Sequence, residues 1–332
     1  MNANIEKVGV AGAGAWGTAL ACVAARAGRE VLVWAREPEV AEAIGERHEN
    51  PVFLPGAALE PMTASTDPAF LAGCDACLLT TPAQHLRAAA AEFHRTLPPE
   101  ACFIVCAKGF EQATGLMMSE VLAEIAPERK VAVLSGPSFA ADVVRGLPTA
   151  VTLACEDSEL GNALVAAIGL PEFRPYLSSD LTGAQVGGAV KNVLAIACGV
   201  VEGRRLGESA RAALITRGFA ELVRLGRALG ARAETLRGLS GLGDLVLTCG
   251  SPQSRNMSLG IALGEGRPLG EVLAERNSVA EGVHTAAAAL SLARRHGVEM
   301  PITEAVADIV SGTLDVEEAI RALLNRPFTT ED

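Results

Sequence analysis

Short apolar runs rich in β-branched residues alternate with helix-length segments through the first half of the chain. The runs are KVGVAG (7–12), EVLVWA (30–35), DACLLTT (75–81), CFIVCAKG (102–109) and KVAVLSG (130–136). Strand patterns separated by helical ones mark successive βαβ units, and such units build a parallel, doubly wound sheet. Two more strand patterns, TAVTLAC (149–155) and FRPYLS (173–178), precede Ser179 and Asp180, after which strand patterns nearly vanish. From Leu181 the pattern is helical, with breaks at 203–207, at Gly230, across GLSGLGDL and SPQSRN, at 266–268 and at 297–301. The pattern predicts an α/β domain over 1–180 followed by an all-helical domain over 181–332.

Composition narrows what such a chain can do. With 332 residues, 49% of them hydrophobic, it can fill two cores. A net charge of −11 leaves no basic field for nucleic acid or an anionic membrane surface, so an anionic ligand must be held by locally placed cations. Eight cysteines (22, 74, 77, 102, 106, 155, 198, 249) lie in apolar stretches, as buried thiols do. The one CxxC, Cys74 to Cys77, opens an apolar strand pattern and has no second pair to make a zinc site. The uncharged stretch 8–25 is interrupted by glycines 9, 12, 14 and 17, unlike a signal peptide or anchor. No other uncharged run suggests a span, and a soluble, cytoplasmic protein is expected. No His, Cys and carboxylate cluster suggests a metal, and the five histidines (48, 85, 94, 284, 296) fall on loops or polar faces.

Gly12, Gly14 and Gly17 stand at GxGxxG spacing directly after the first strand pattern and before the first helix. In a βαβ context that spacing is the dinucleotide fingerprint of a Rossmann domain. Gly12 permits the tight turn, Gly14 admits the pyrophosphate, and Gly17 lets helix and strand pack closely. About 20 residues on, where an acid would bind the ribose 2′-hydroxyl of NAD, the second strand ends in Arg36, which suits the 2′-phosphate of NADP(H). Glu37 follows immediately, and a shift of one residue reverses the preference.

Lysine usage gives an independent clue. The chain has four lysines (7, 108, 130, 191) against 24 arginines, yet Lys108 and Lys191 sit in apolar, glycine-flanked contexts. An ammonium can release a proton at accessible pH, which a guanidinium cannot. Lys191 falls within a helix predicted over about 182–203, and its face carries Ala184, Gly187, Gly188 and Ala195. Two glycines in mid-helix cost about 1 kcal/mol each relative to alanine, which calls for a reason such as room for a ligand. The bland alternative is close helix packing with Lys191 snorkelling outward. Asp244, in the GLSGLGDL turn, suits either an Asx-turn or the orientation of a catalytic ammonium. Ser254, Arg255 and Asn256 open another helix and form a plausible phosphate cradle.

These segments together resemble bacterial-type NAD(P)-dependent glycerol-3-phosphate dehydrogenases. The resemblance runs in order through GAGAWGTALA, NPVFLPG, AKGFE, SGPSFA, GLPTA, QVGGAVKNVLAI, ALITRG, GLGDLVLTC, SRN and GVEMPITE, nearly the whole chain. It implies a Rossmann domain followed by a helical domain of the 6-phosphogluconate-dehydrogenase kind. It also implies hydride transfer between NAD(P)H and dihydroxyacetone phosphate to give sn-glycerol 3-phosphate for phospholipid synthesis, commonly in a homodimer. By match of motif, Lys191 is the catalytic lysine and Lys108 a second lysine contacting substrate and cofactor. Gly136, Ser138, Asp244, Ser254, Arg255 and Asn256 match substrate-binding positions. Gly12, Gly14, Ala15, Trp16, Gly17, Arg36, Ala140, Arg255, Val279 and Glu281 match cofactor positions, with Ala15 where serine is frequent. The pattern leaves NAD against NADP open. A β-hydroxyacid dehydrogenase of like architecture typically carries Asn four residues after the lysine, where this chain has Ala195. A non-catalytic nucleotide sensor gives no reason for the set of Lys191, Asp244 and Arg255.

Overall fold

The structure, a computed structural model, describes residues 5–275, 280–327 and 330. Its first part contains strands β1 (Lys7–Ala11), β2 (Glu30–Trp34), β3 (Glu49–Asn50), β4 (Leu54–Ala58), β5 (Thr63–Ser65), β6 (Ala76–Leu79), β7 (Cys102–Val105), β8 (Val131–Ser135), β9 (Thr149–Cys155) and β10 (Phe173–Ser178). Between them run helices α1 (Ala15–Arg26), α2 (Pro38–Glu42), α3 (Ala83–Thr96), α4 (Met118–Ile125), α5 (Ala140–Val144) and α6 (Ser158–Ile168). The second part holds α7 (Leu181–Gly203), α8 (Glu208–Ala228), α9 (Ala233–Arg237), α10 (Asp244–Cys249), α11 (Arg255–Gly264), α12 (Leu269–Ala274), α13 (Glu281–Arg295), α14 (Pro301–Ser311) and α15 (Val316–Leu324).

Among the described residues, one sheet takes the order β10-β9-β8-β7-β6-β1-β2-β5, and β3 pairs with β4 in a separate hairpin. Strands β6 and β7 are buried along their whole length because helices cover both faces of the sheet. Alternation across the pleat divides the side chains: Leu78 and Ile104 join the core under α1, α5 and α6, while Leu79, Phe103 and Val105 join the one under α3 and α4. The sheet departs from the all-parallel pattern at one place, for β9 runs antiparallel to β8. Antiparallel neighbours need no helical crossover to the far side of the sheet, and the connection here contains only the five-residue α5.

In the second part, α7 is apolar almost all round and is buried from Gly183 to Val201, the condition of a helix at the centre of a core. It is the one helix among the described residues long and apolar enough to span a bilayer, and that whole stretch lies inside the protein. Helix α11 crosses α7 at backbone contact: a Cβ on Gly199 would stand 2.1 Å from the Met257 carbonyl, and one on Gly260 2.0 Å from the Ile196 carbonyl. The crossing brings the start of α11 beside the middle of α7. The two parts interlock through the segment after β7, from which Phe110 and Met117 reach into the helical core.

Candidate active site

At the dinucleotide loop, the three glycines do three different things. Gly12 adopts φ +121°, in the region that favours glycine, and its N–H donates to the Trp34 carbonyl at 3.1 Å. A Cβ on Gly14 would meet nothing within 4 Å, whereas one on Gly17 would stand 2.0 Å from the Gly12 carbonyl. Gly14 also starts α1, whose first turn has neither a side-chain cap nor an acidic residue. Its leading amides are therefore available to an anion, and the open space at Gly14 lets one approach. Ala15 and Trp16 occupy that first turn. These features fit a dinucleotide pyrophosphate.

Two residues that the sequence did not flag hold this loop. Buried Asn50 donates to the Ala13 carbonyl at 2.9 Å and to Thr18 Oγ1 at 2.8 Å, and Thr80 donates to the Gly12 carbonyl at 2.8 Å. The only sequence trace of Asn50 is its place at the head of the NPVFLPG motif. At the end of β2, Arg36 is paired with its neighbour, Nε and Nη2 donating to Glu37 Oε1 at 2.9 and 2.6 Å. Ala140 opens α5, which packs against α1. Glu281 opens α13, and one of its oxygens accepts the Ala83 N–H at the start of α3 at 3.0 Å, while the other is buried without a hydrogen bond. Val279 lies outside the described residues.

The lysine site is built by α7. Lys191 points inward and is buried, so it does not snorkel. Its Nζ donates to Asp244 Oδ1 and, at 2.9 Å, to Thr248 Oγ1. Lys108 reaches the same carboxylate from the loop after β7, donating to Asp244 Oδ2 at 2.8 Å and to the Gly136 carbonyl at 2.9 Å. Asp244 is only 1% exposed, so two ammonium groups share one carboxylate almost out of water. Burial pushes Lys191 down to about 7, Lys108 adds to the shift, and Asp244 partly opposes it.

Small residues on α7 make this possible, although not by leaving room for a ligand as their pattern suggests. A Cβ on Gly187 would stand 2.4 Å from the Ser240 carbonyl and 2.9 Å from Gly241 Cα. The space is taken by a wide π turn, Leu239–Gly243, which delivers Asp244 as the first residue of α10. A Cβ on Gly188 would meet Ser135 Oγ at 2.6 Å and Lys108 Cγ at 3.4 Å. Both glycines make room for other parts of the same chain, because the groups that flank Lys191 come from segments distant in sequence.

Around this centre, Gly136 sits at φ +146° and its carbonyl also accepts from Ser138 Oγ at 3.1 Å. Ser254 caps α11 by accepting the Met257 N–H at 3.2 Å, and Arg255 follows as the first, solvent-facing residue of that helix. Asn256 turns inward, donating to Asn192 Oδ1 at 2.9 Å and accepting the Gly282 N–H at 3.0 Å. Asn192 in turn donates to the Lys108 carbonyl at 2.9 Å. Asn192 and Thr248 thus belong to the site, and the sequence singled out neither for that role. Lys108, Gly136, Ser138, Lys191, Asp244, Ser254 and Asn256 are thereby connected into one constellation where the sheet meets the helices.

Comparison with known proteins finds relatives over nearly the whole chain. Residues 7–161 match the family model for the N-terminus, and residues 180–321 that for the C-terminus, of NAD-dependent glycerol-3-phosphate dehydrogenase. The chain is 62% identical over 327 residues to a protein of Parvibaculum lavamentivorans named glycerol-3-phosphate dehydrogenase (NAD(P)+), covering 98% of each. It is 61% identical to a Caulobacter vibrioides protein of the same name, covering 98% of this chain and 99% of that protein. Among solved structures, the Coxiella burnetii glycerol-3-phosphate dehydrogenase superimposes with a TM-score of 0.93 at 37% identity, over 98% of this chain and all of the other.

Proposed function

Since the chain belongs to the NAD-dependent glycerol-3-phosphate dehydrogenase family and reduces dihydroxyacetone phosphate with NAD(P)H, we propose that Lys191 is its general acid, set by Lys108 and Asp244. Bound NAD(P)H supplies the hydride; the chain's own part is the proton. Lys191 is the buried ammonium whose affinity for its proton has been brought close to neutrality, where a general acid works best. With both lysines charged, the triad carries one net positive charge, which favours a developing alkoxide. After Lys191 gives up its proton, the Lys108 and Asp244 pair remains neutral overall, so the product leaves behind no unpaired buried carboxylate. In the reverse direction, neutral Lys191 takes the proton from the product hydroxyl. Arg255 and the start of α11, where Ser254 occupies one of the leading amides, hold the substrate phosphate, and Asn256 fixes that helix end against Asn192.

Gly14, Ala15 and Trp16 would hold the cofactor's pyrophosphate through their amides and Arg36 its adenosine ribose, with Ala140 and Glu281 as further contacts. Two domains, 1–180 and 181–332, divide the work of holding cofactor and substrate. The enzyme acts as a cytoplasmic homodimer that feeds glycerol phosphate to phospholipid synthesis. The observation that carries the mechanism is the shared carboxylate of Asp244 between two lysines.

Lys191→Ala lowers turnover by about 10² to 10⁴-fold, the range for loss of a general acid. In the parent enzyme, kcat/KM for ketone reduction falls as pH rises through about 7, because Lys191 loses its proton there, and alcohol oxidation rises over the same interval. The variant loses that step, and Lys191→Arg, which keeps charge but not an accessible proton, does not restore activity. Near-normal turnover in Lys191→Ala would sink the assignment and move the acid to Lys108.

A further inference from the structure

The end of β2 carries two opposite charges in consecutive positions, and they are held very differently. Arg36 is 79% exposed at its side chain, whereas Glu37 is only 27% exposed. Glu37 also precedes Pro38, which confines it to extended backbone, and it is found at φ −89° and ψ 121°. Backbone bonds fix the neighbourhood on both sides: Gly12 N–H to the Trp34 carbonyl at 3.1 Å, and Ala35 N–H to the Ser65 carbonyl at 3.0 Å. Glu37 is thus the more buried member of the pair, on extended backbone, and Arg36 the one that reaches into solvent. Both of the arginine's observed bonds go to a single oxygen of Glu37.

We propose that Glu37 is a specificity-determining residue, competing with the cofactor's 2′-phosphate for the guanidinium of Arg36 and so moderating preference for NADPH over NADH. The proposal rests on placing the adenosine ribose at the end of β2. An NADPH phosphate draws Arg36 away and leaves a half-buried carboxylate without its partner beside a new dianion, which opposes binding. NADH makes no such demand, so the ion pair persists. Arg36 alone would favour NADPH strongly; Arg36 tied to Glu37 brings the two cofactors closer together.

The test combines Glu37→Gln, Arg36→Gln and the double variant. It measures the NADPH to NADH ratio of kcat/KM and, without turnover, the affinities of 2′,5′-ADP and AMP by calorimetry. Glu37→Gln is expected to raise the ratio and relative 2′,5′-ADP affinity by about threefold to tenfold, the scale of a surface ion pair plus a like-charge contact. In the Arg36→Gln background the same change has a markedly smaller effect, because the guanidinium it would release is absent. An equal rise in both backgrounds would mean simple repulsion between Glu37 and the phosphate, and would overturn competition for Arg36. A fall in the ratio, showing that Glu37 aims Arg36 at the phosphate, or no change while Arg36→Gln still lowers it, would overturn the role of Glu37. If Arg36→Gln itself moves neither the ratio nor 2′,5′-ADP affinity, the placement of the ribose fails and the proposal with it.

Discussion

Two glycine-rich places in this molecule share a sequence signature and differ in what the missing side chain admits. At the start of α1, Gly14 faces open space. On α7, Gly187 and Gly188 face the protein itself, a turn of backbone in one case and the Ser135 and Lys108 side chains in the other. The first site waits for something from outside; the second is already filled by parts of the same chain. A glycine where helix propensity argues against it signals close approach, and only the three-dimensional neighbourhood says by what.

That contrast is open to direct attack by adding one methyl group at each place. Gly187→Ala is the most damaging, because its Cβ would overlap the Ser240 carbonyl and Gly241, neither of which can rotate away. A loss of about 3 kcal/mol in a denaturant titration is expected, with turnover falling as Asp244 is displaced. Retention of full stability would show that the π turn moves freely and is not set by α7. Gly188→Ala is intermediate, since its Cβ would overlap only Ser135 Oγ, which can swing aside, and would stand at ordinary contact distance from Lys108 Cγ. Its stability falls by about 1 to 2 kcal/mol in a denaturant titration, and turnover falls less than in Gly187→Ala because Lys108 keeps its path. Gly14→Ala leaves the fold within about 0.5 kcal/mol of the parent, because its φ of −65° suits alanine and nothing is struck. Its effect is confined to the cofactor, with KM for NAD(P)H raised about tenfold. Equal loss of stability in Gly14→Ala and Gly187→Ala would erase the distinction between the two places.

The same contrast explains which parts of the structure the sequence discloses. Strands β6 and β7 are legible because burial on both faces leaves an uninterrupted apolar run. The hairpin of β3 and β4 and the three-residue β5 are not, for they are short, partly exposed and interrupted by Pro51 and Pro55. The direction of β9 is equally hidden, since an apolar strand pattern looks the same read either way. In the active site, Lys191 is conspicuous because a lone ammonium among alanines and glycines needs a reason. Asn192, Thr248 and Asn50 are ordinary polar residues until their partners, Lys108, Lys191 and Ala13, arrive from elsewhere in the chain.

The insertion of Phe110 and Met117 into the helical core limits how far the two halves can be treated as separable modules. Both lie beyond the sheet, two and nine residues after Lys108, at 0% and 8% exposure, and end among side chains from α7 and its neighbours. A fragment ending at residue 180 would return them to water, forfeiting about 1.5 to 3 kcal/mol for each, and would release the segment that aims Lys108. Recombination that pairs this sheet with a foreign helical half therefore has to carry a matching socket for Phe110, or Lys108 and Lys191 do not meet at Asp244.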